Sequence, residues 1–229
     1  MTIAIMQPYF FPYIGYFQLI NAVDKFIIYD DVNFIKQGWI ARNRIILQGK
    51  EHYVILQLNG ASSFKKINEI QIGTNAEKLL KTIYQAYNKA PFFSSSFPII
   101  EKIIKINIIN LADFLINQLI ILSSYFGIST EFLISSSINK DNNLKGLEKV
   151  IHICNILGAT KYINSIGGQK LYNKEDFQNS GINLYFLKSK PIKYKQFGDI
   201  YISNLSIIDV MMFNDVPTIR HYLNQYDLI

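Results

Sequence analysis

Residues 2–29 read TIAIMQPYFFPYIGYFQLINAVDKFIIY. Thr2–Met6 is a short isoleucine-bearing apolar run closed by Pro8 and Pro12, the pattern of a buried strand followed by a rigid turn. Tyr16, Leu19, Ile20 and Val23 then recur three or four apart, which predicts a helix over Gly15–Val23. Lys25–Tyr29 is a second apolar run, ended by Asp30 and Asp31. Two buried strands joined by a helix make the βαβ unit of a parallel sheet. The predicted fold class is therefore α/β, with a Rossmann-like open, mainly parallel sheet.

The rest of the chain extends this unit. Phe34–Leu47 reads as a strand pair or a loop and strand, and Tyr53–Leu58 as a further strand closed by Asn59-Gly60. Helical spacing then dominates: Asn75–Tyr87, a helix opened by Pro98 and running to about Lys105, and Asn110–Tyr125 stopped by Gly127. Residues 75–125 thus predict a helical layer or insertion within a single 1–229 α/β domain. A strand at Ile128–Ile134, a helix at Leu144–Leu157 and a strand at Ala159–Ile163 follow. A short helix near Glu175–Asn179 and a strand at Asn183–Leu187 give a second βαβ-like passage. Ser206–Phe213 predicts the last core helix, and Pro217–Leu223 adds a helical turn or two.

Composition narrows the function classes. The 229 residues are 49% hydrophobic and 17% charged, which marks a folded chain with a substantial core. The formal charge of +6 suits phosphate-bearing small molecules, but three arginines are too few for a nucleic-acid stripe, so no nucleic-acid partner is expected. The single cysteine, Cys154, excludes an internal disulfide and fits a reducing, cytoplasmic setting. The N-terminus lacks a basic leader, and no apolar run reaches membrane-spanning length, so membrane contact is expected to be peripheral at most. His52, His152 and His221 have no ligand spacing, and no metal site is expected. G-x-G-x-x-G, the phosphate loop and G-x-S-x-G are all absent.

Four segments, in order, carry a family resemblance: IAIMQPYFFPYIGYFQLI, FIIYDDVNFIKQGWIARNRI, LGATKYINSIGGQKLY and LSIIDVMMFN, spanning residues 3–214. Together they resemble the WbqC-like family. That resemblance implies a place in O-antigen or other lipopolysaccharide and surface-polysaccharide biosynthesis, with transfer of glycine or another amino acid onto a sugar. Tyr13-Ile14-Gly15-Tyr16 is also similar to the His-x-Gly-His turn of nucleotidylyl-transferases and ligases, with both histidines replaced. Neutral phenols can donate to phosphate oxygens but lack the imidazolium charge.

Candidate site residues follow from the strand ends, where open α/β sheets bind ligands. Gln7, Asp30, Asp31 and Arg44 are the candidate catalytic residues: Gln7 as donor and acceptor, an aspartate as proton acceptor, and Arg44 as an anion clamp. Pro8, Tyr13, Gly15 and Tyr16 shape the first strand-to-helix turn, whose free amides suit a phosphate. Ser165, Gly167, Gly168 and Gln169 form a second backbone-exposing turn. Trp39, Arg42, Asn43 and Lys190 are the candidate substrate-binding residues, Trp39 by stacking on a sugar or base. ATP and Mg2+ are implied if an acyl group is activated in place.

The leading expectation is a transferase or ligase adding an amino acid or other acyl group to a sugar amine or hydroxyl. Its partner would be a nucleotide-linked or phosphorylated sugar, and a homodimer is left open. The alternatives are a nucleotidylyl-transferase-like enzyme and a non-catalytic binding or scaffold protein. An enzyme should show a concave pocket where Gln7, Asp30, Arg44 and Gln169 converge. A scaffold should scatter or bury them.

Overall fold

The computed structural model describes residues 1–198 and 200–229. The strands are β1 (Thr2–Met6), β2 (Lys25–Ile28), β3 (Arg42–Leu47), β4 (Lys50–Ile55), β5 (Leu58–Asn59), β6 (Gln71–Ile72), β7 (Glu131–Ile134), β8 (Lys161–Ser165), β9 (Asn183–Ser189) and β10 (Tyr226–Leu228). The helices are α1 (Ile14–Asn21), α2 (Ala76–Tyr87), α3 (Phe93–Ile104), α4 (Leu111–Phe126), α5 (Gly146–Ile156), α6 (Lys174–Gln178), α7 (Ile207–Phe213) and α8 (Val216–Tyr222).

Six strands form one sheet in the order β10-β9-β8-β1-β2-β7. Five are parallel, and only β10 runs antiparallel, against β9. The chain builds outward from β1 through β2 to β7, then returns to the other side of β1 and builds outward again through β8 and β9. The strand order reverses between β1 and β8. Counting only the strands of this sheet, this is the 3-2-1-4-5-6 order of the doubly wound fold, whose ligand crevice opens beyond the strand ends at that reversal.

The sheet is buried on both faces because successive strand side chains alternate. Ile3, Ile5 and Ile27 point into a core shared with Val150, Ile153 and Cys154 of α5 and Phe177 of α6. Ala4, Phe26 and Ile28 point the other way, into a larger core with α1, α7, α8 and the three helices α2–α4. The helical subregion therefore packs into the main core as a layer. Cys154 is fully buried and its thiol is pushed up to about 12, by burial first, which makes it an inert packing residue.

Several elements differ from the sequence expectation: the strand expected over Tyr53–Leu58 divides into β4, which begins at Lys50, and the short β5, which pairs with an unexpected β6. Helix α3 starts at Phe93, and Pro98 lies inside it. Stacking of Phe93 on Phe97 and the Ser96 hydroxyl donating to the Met211 carbonyl (2.8 Å) anchor the turn that Pro98 would otherwise have begun. Strand β10 follows α8 where no strand was expected, its three residues being too few to show a period. The 34–58 region resolves into the β3–β4 hairpin, which turns at Gln48 and Gly49, with φ of 52° and 76°. Positive φ at both central residues matches the twist of the paired strands.

Candidate functional site

The turn from β1 to α1 is backbone that other parts of the chain hold in place. Phe11 is fully buried with φ of 40°, a left-handed conformation that a bulky residue adopts only when its surroundings impose it. Three distant side chains do so. Gln118 of α4 accepts from the Phe11 amide (3.0 Å) and donates to the Tyr9 carbonyl (3.0 Å). Asn43 of β3 donates to the Phe11 and Phe10 carbonyls (2.7 and 3.2 Å). Ser206, which caps α7, donates to the Phe11 carbonyl (2.8 Å).

Beyond the ends of β1, β8 and β9 this turn forms the floor of two adjoining cavities, each ≈ 450 Å³. One is lined by Tyr9, Tyr13, Trp39, Arg44, Ile166 and Lys188, among others. The other is lined by Tyr13, Ile14, Lys190, Lys193, Tyr194 and Tyr201, among others. Tyr13, Ser189 and Asn204 belong to both, so the two form a continuous cleft at the sheet's reversal point. None of the described lining residues is acidic.

The cleft presents cations and phenols. The Arg44 guanidinium lies 5.5 Å from the centre of the Trp39 ring, pairs with Glu51 at 2.9 Å, and its Nε finds no acceptor among the described residues. Lys190 pairs with Asp227 at 2.8 Å on the cleft rim. Burial raises the pKa of Tyr13. The Tyr194 pKa is raised by burial and by Asp209, whose carboxylate accepts its hydroxyl at 2.6 Å. Both phenols stay neutral at physiological pH and act as hydrogen-bonding groups. The first turn of α1 opens here with no side chain capping its amides.

The sequence candidates separate into three groups. Tyr13, Trp39, Asn43, Arg44 and Lys190 line the cleft, although the Asn43 amide is fully engaged by the turn and by the Arg44 amide. A second group shapes the cleft from behind. Gly15 is one: a Cβ there would lie 2.3 Å from the Tyr13 ring and 2.7 Å from the Ser189 hydroxyl. Tyr16 is fully buried and donates to the Gln7 carbonyl at 2.8 Å, so only Tyr13 of the two histidine-position tyrosines reaches the cleft. Pro8 is buried in the same turn. Gly168 packs on the Asn164 amide, where a Cβ would approach to 2.8 Å. Gly15→Ala is expected to push Tyr13 into the cleft and to lower stability by about 1–3 kcal/mol, read by thermal denaturation together with ligand titration.

The third group lies outside the lining. Asp30 is buried and accepts from the Ser136 amide (2.9 Å) and the Asn68 side chain (3.1 Å). Asp31 is buried between Lys149 (2.9 Å) and Lys140 (3.1 Å) on the α5 side of the sheet. Arg42 lies 4.8 Å from the Tyr53 ring centre and donates to the Gln37 carbonyl. Gln7, Ser165, Gly167 and Gln169 are also absent from the lining, and their turn contributes Ile166 instead. The pocket is concave, but of the four residues expected to converge in it only Arg44 is there. Ser189, Tyr194, Tyr201 and Asn204 were not foreseen. Only Ser189 and Tyr194 carried a positional signal, since they lie at and just after the end of β9, among the lysines 188–195.

Among the described residues no group of three or more potential metal ligands occurs, and no helix is long and apolar enough to cross a membrane. No solved structure matches the chain. It is 28% identical to a protein of Mycobacterium tuberculosis (strain ATCC 25618 / H37Rv), "Uncharacterized protein Rv1507c", over 97% of this chain and 99% of that one. A family model described as the WbqC-like protein family matches residues 7–221, from the β1–α1 turn through α8 and across the whole cleft, and the chain belongs to that family.

Proposed function

We propose that the cleft binds the phosphate-bearing end of a nucleotide-linked or phosphorylated sugar. On this reading the protein is a transferase or ligase of surface-glycan biosynthesis, adding an amino acid or other acyl group to a sugar amine or hydroxyl. One observation carries the reading: at the reversal point of the sheet, an aromatic and cationic cleft lies against the uncapped first turn of α1. Trp39 offers a stacking face for a ring. Arg44, Lys188 and Lys193 offer charge to phosphate oxygens, and Tyr13 offers a neutral hydroxyl, while the Tyr194 proton is committed to Asp209. Catalysis by such a site rests on positioning and on stabilising negative charge.

The lysines and helix amides fit the phosphates of ATP, should the acyl group be activated in place. No described lining residue offers a carboxylate to Mg2+, which would then be held through the nucleotide's own oxygens. The burial of Asp30 and Asp31 favours a second reading, binding of the same ligand without turnover. Product formation from labelled glycine and a uridine-diphosphate amino sugar separates the two.

The test is calorimetric titration with uridine-diphosphate amino sugars and with ATP–Mg2+. Micromolar binding is expected. Arg44→Ala and Trp39→Ala should each weaken it about tenfold, the loss of one charged hydrogen bond or one cation–ring contact. Binding that ignores both substitutions would place the ligand elsewhere and end this reading.

A further inference from the structure

We infer that the cleft-bearing edge of the sheet docks on an anionic lipid bilayer. Four segments leave this edge or are tied to it: residues 33–41, 60–69, 166–173 and 188–205. Residues 166–173 follow the end of β8, and 188–205 begin with the last two residues of β9 and run on from it. The 33–41 segment follows β2 and lies on the β1–α1 turn, where the Phe10 amide donates to the Trp39 and Ile40 carbonyls (3.2 and 3.1 Å). The 60–69 segment joins it through the Phe34 amide on the Lys65 carbonyl (2.9 Å) and the Ile67 amide on the Val32 carbonyl (3.0 Å).

Each segment raises a large apolar side chain into solvent. Phe64 is 93% exposed, Ile200 82%, Leu171 73% and Ile35 53%. Phe64 sits at the apex of a closed turn, in which the Lys65 amide donates to the Ser62 carbonyl (3.1 Å) and the Phe64 amide to the Ser62 hydroxyl (3.3 Å). The turn thus holds the ring out in a fixed place. A lone exposed leucine is ordinary, but one such residue on each of four segments at one edge is not.

The charge supplies the partner. The four segments hold eight lysines (Lys36, Lys65, Lys66, Lys170 and four between 188 and 195) against Glu69 and Asp199. Their balance of +6 equals the formal charge of the whole chain, so the fifteen basic and fifteen acidic residues elsewhere cancel. Apolar side chains that enter the acyl boundary, ringed by lysines that meet lipid phosphates, are the two signals a peripheral membrane protein combines. A protein partner's apolar patch would match the fingers but would not call for so many lysines in the same four segments.

The experiment is co-sedimentation with vesicles of phosphatidylcholine, with and without phosphatidylglycerol. Trp39, the single tryptophan and 40% exposed at the cleft mouth, serves as an internal probe. Binding is expected only to the anionic vesicles, to fall as salt rises, and to bring Trp39 within quenching range of brominated lipid. Phe64→Ser and Leu171→Ser should each lower the partition coefficient about tenfold, the loss of one inserted side chain. Both residues lie outside the cleft lining, so their variants should keep the wild-type affinity for a sugar nucleotide, and this test does not depend on that one. The inference is overturned by absence from anionic vesicles, by binding indifferent to both substitutions, or by a lipid-free dimer that Phe64→Ser dissolves, which would assign the face to a second copy of the chain.

Discussion

Asp31→Ala is expected to cost about 3–5 kcal/mol of folding stability, because it strands two lysines that were buried around one carboxylate. The Lys140 side chain is 1% exposed and that of Lys149 7%, and both ammonium groups lie within 3.1 Å of the same Asp31 oxygen. Burial would raise the Asp31 pKa, but hydrogen bonds from Lys149, Ser135 and Lys140, with the charge of Lys149, outweigh it and hold the group below the ordinary carboxylate range. A depressed folded-state pKa means that the contribution is complete above the unfolded-state value, about 3.9, and is lost as pH falls through the folded-state one. Acid unfolding of the wild type should therefore steepen below about pH 4, and Asp31→Ala should flatten that arm while lowering stability at neutral pH. Asp209 works in the opposite sense. Burial raises its pKa against the hydrogen bonds of Tyr194, Tyr87 and Gln196, so its contribution declines as pH rises through the window between its unfolded and folded values. Urea denaturation across pH separates the two. Replacing the whole cluster, as Asp31→Leu with Lys140→Met and Lys149→Met, should recover most of the loss, since no charge is then left unpaired. A loss no smaller in that triple variant would show that Asp31 acts through something other than the lysines.

Gln118→Leu is expected to be the next most damaging substitution and to act on the cleft from the far side of the core. Leucine fills the same space but leaves the Phe11 amide and the Tyr9 carbonyl without partners, at about 1–3 kcal/mol for each orphaned group. For a chain of this size each lost kcal/mol lowers Tm by about 2–4 °C. With one of its three clamps gone, Phe11 would be held less firmly at its positive φ, and Tyr13 and the Trp39 loop would shift with it. The variant should therefore shift Trp39 emission and weaken ligand binding more than its lost stability explains. A variant destabilised but unchanged in ligand affinity would reduce Gln118 to a packing role.

The parallel sheet was legible because it rests on short-range signals: an apolar run of strand length, a proline turn and a helical stripe within 28 residues. Gly127 shows the same locality, closing α4 at φ 74°. Asp30 and Asp31 illustrate where such signals stop. Their place at the end of β2 was read correctly, but the partners that bury them lie at positions 68, 136, 140 and 149, beyond any local window. Gln118 gave no local sign of its role, because a side chain that satisfies backbone elsewhere leaves no mark on its own neighbours. Within the cleft, Tyr13, Trp39 and Arg44 were visible as chemistry at strand ends. Ser189 and Asn204 were not, because they become cleft residues only through the pairing of β9 with β8 and the return of the chain to the α7 cap.

The placement of β1 has a consequence for how the protein is made. Its second neighbour in the sheet is β8, with Thr2 opposite Lys161, and the turn after β1 is completed by Ser206, 195 residues beyond Phe11. A chain emerging N-terminus first can pair β1 with β2 early, but one edge of β1 must wait until most of the protein has been synthesised. Closing loops of that length before their contacts form slows folding. Through that interval an apolar strand edge stands open to pairing with other chains. The segment that builds the cleft floor is thus synthesised long before the partners that fix it, so conditions that slow or truncate synthesis should yield aggregation before they yield a folded protein with an empty site.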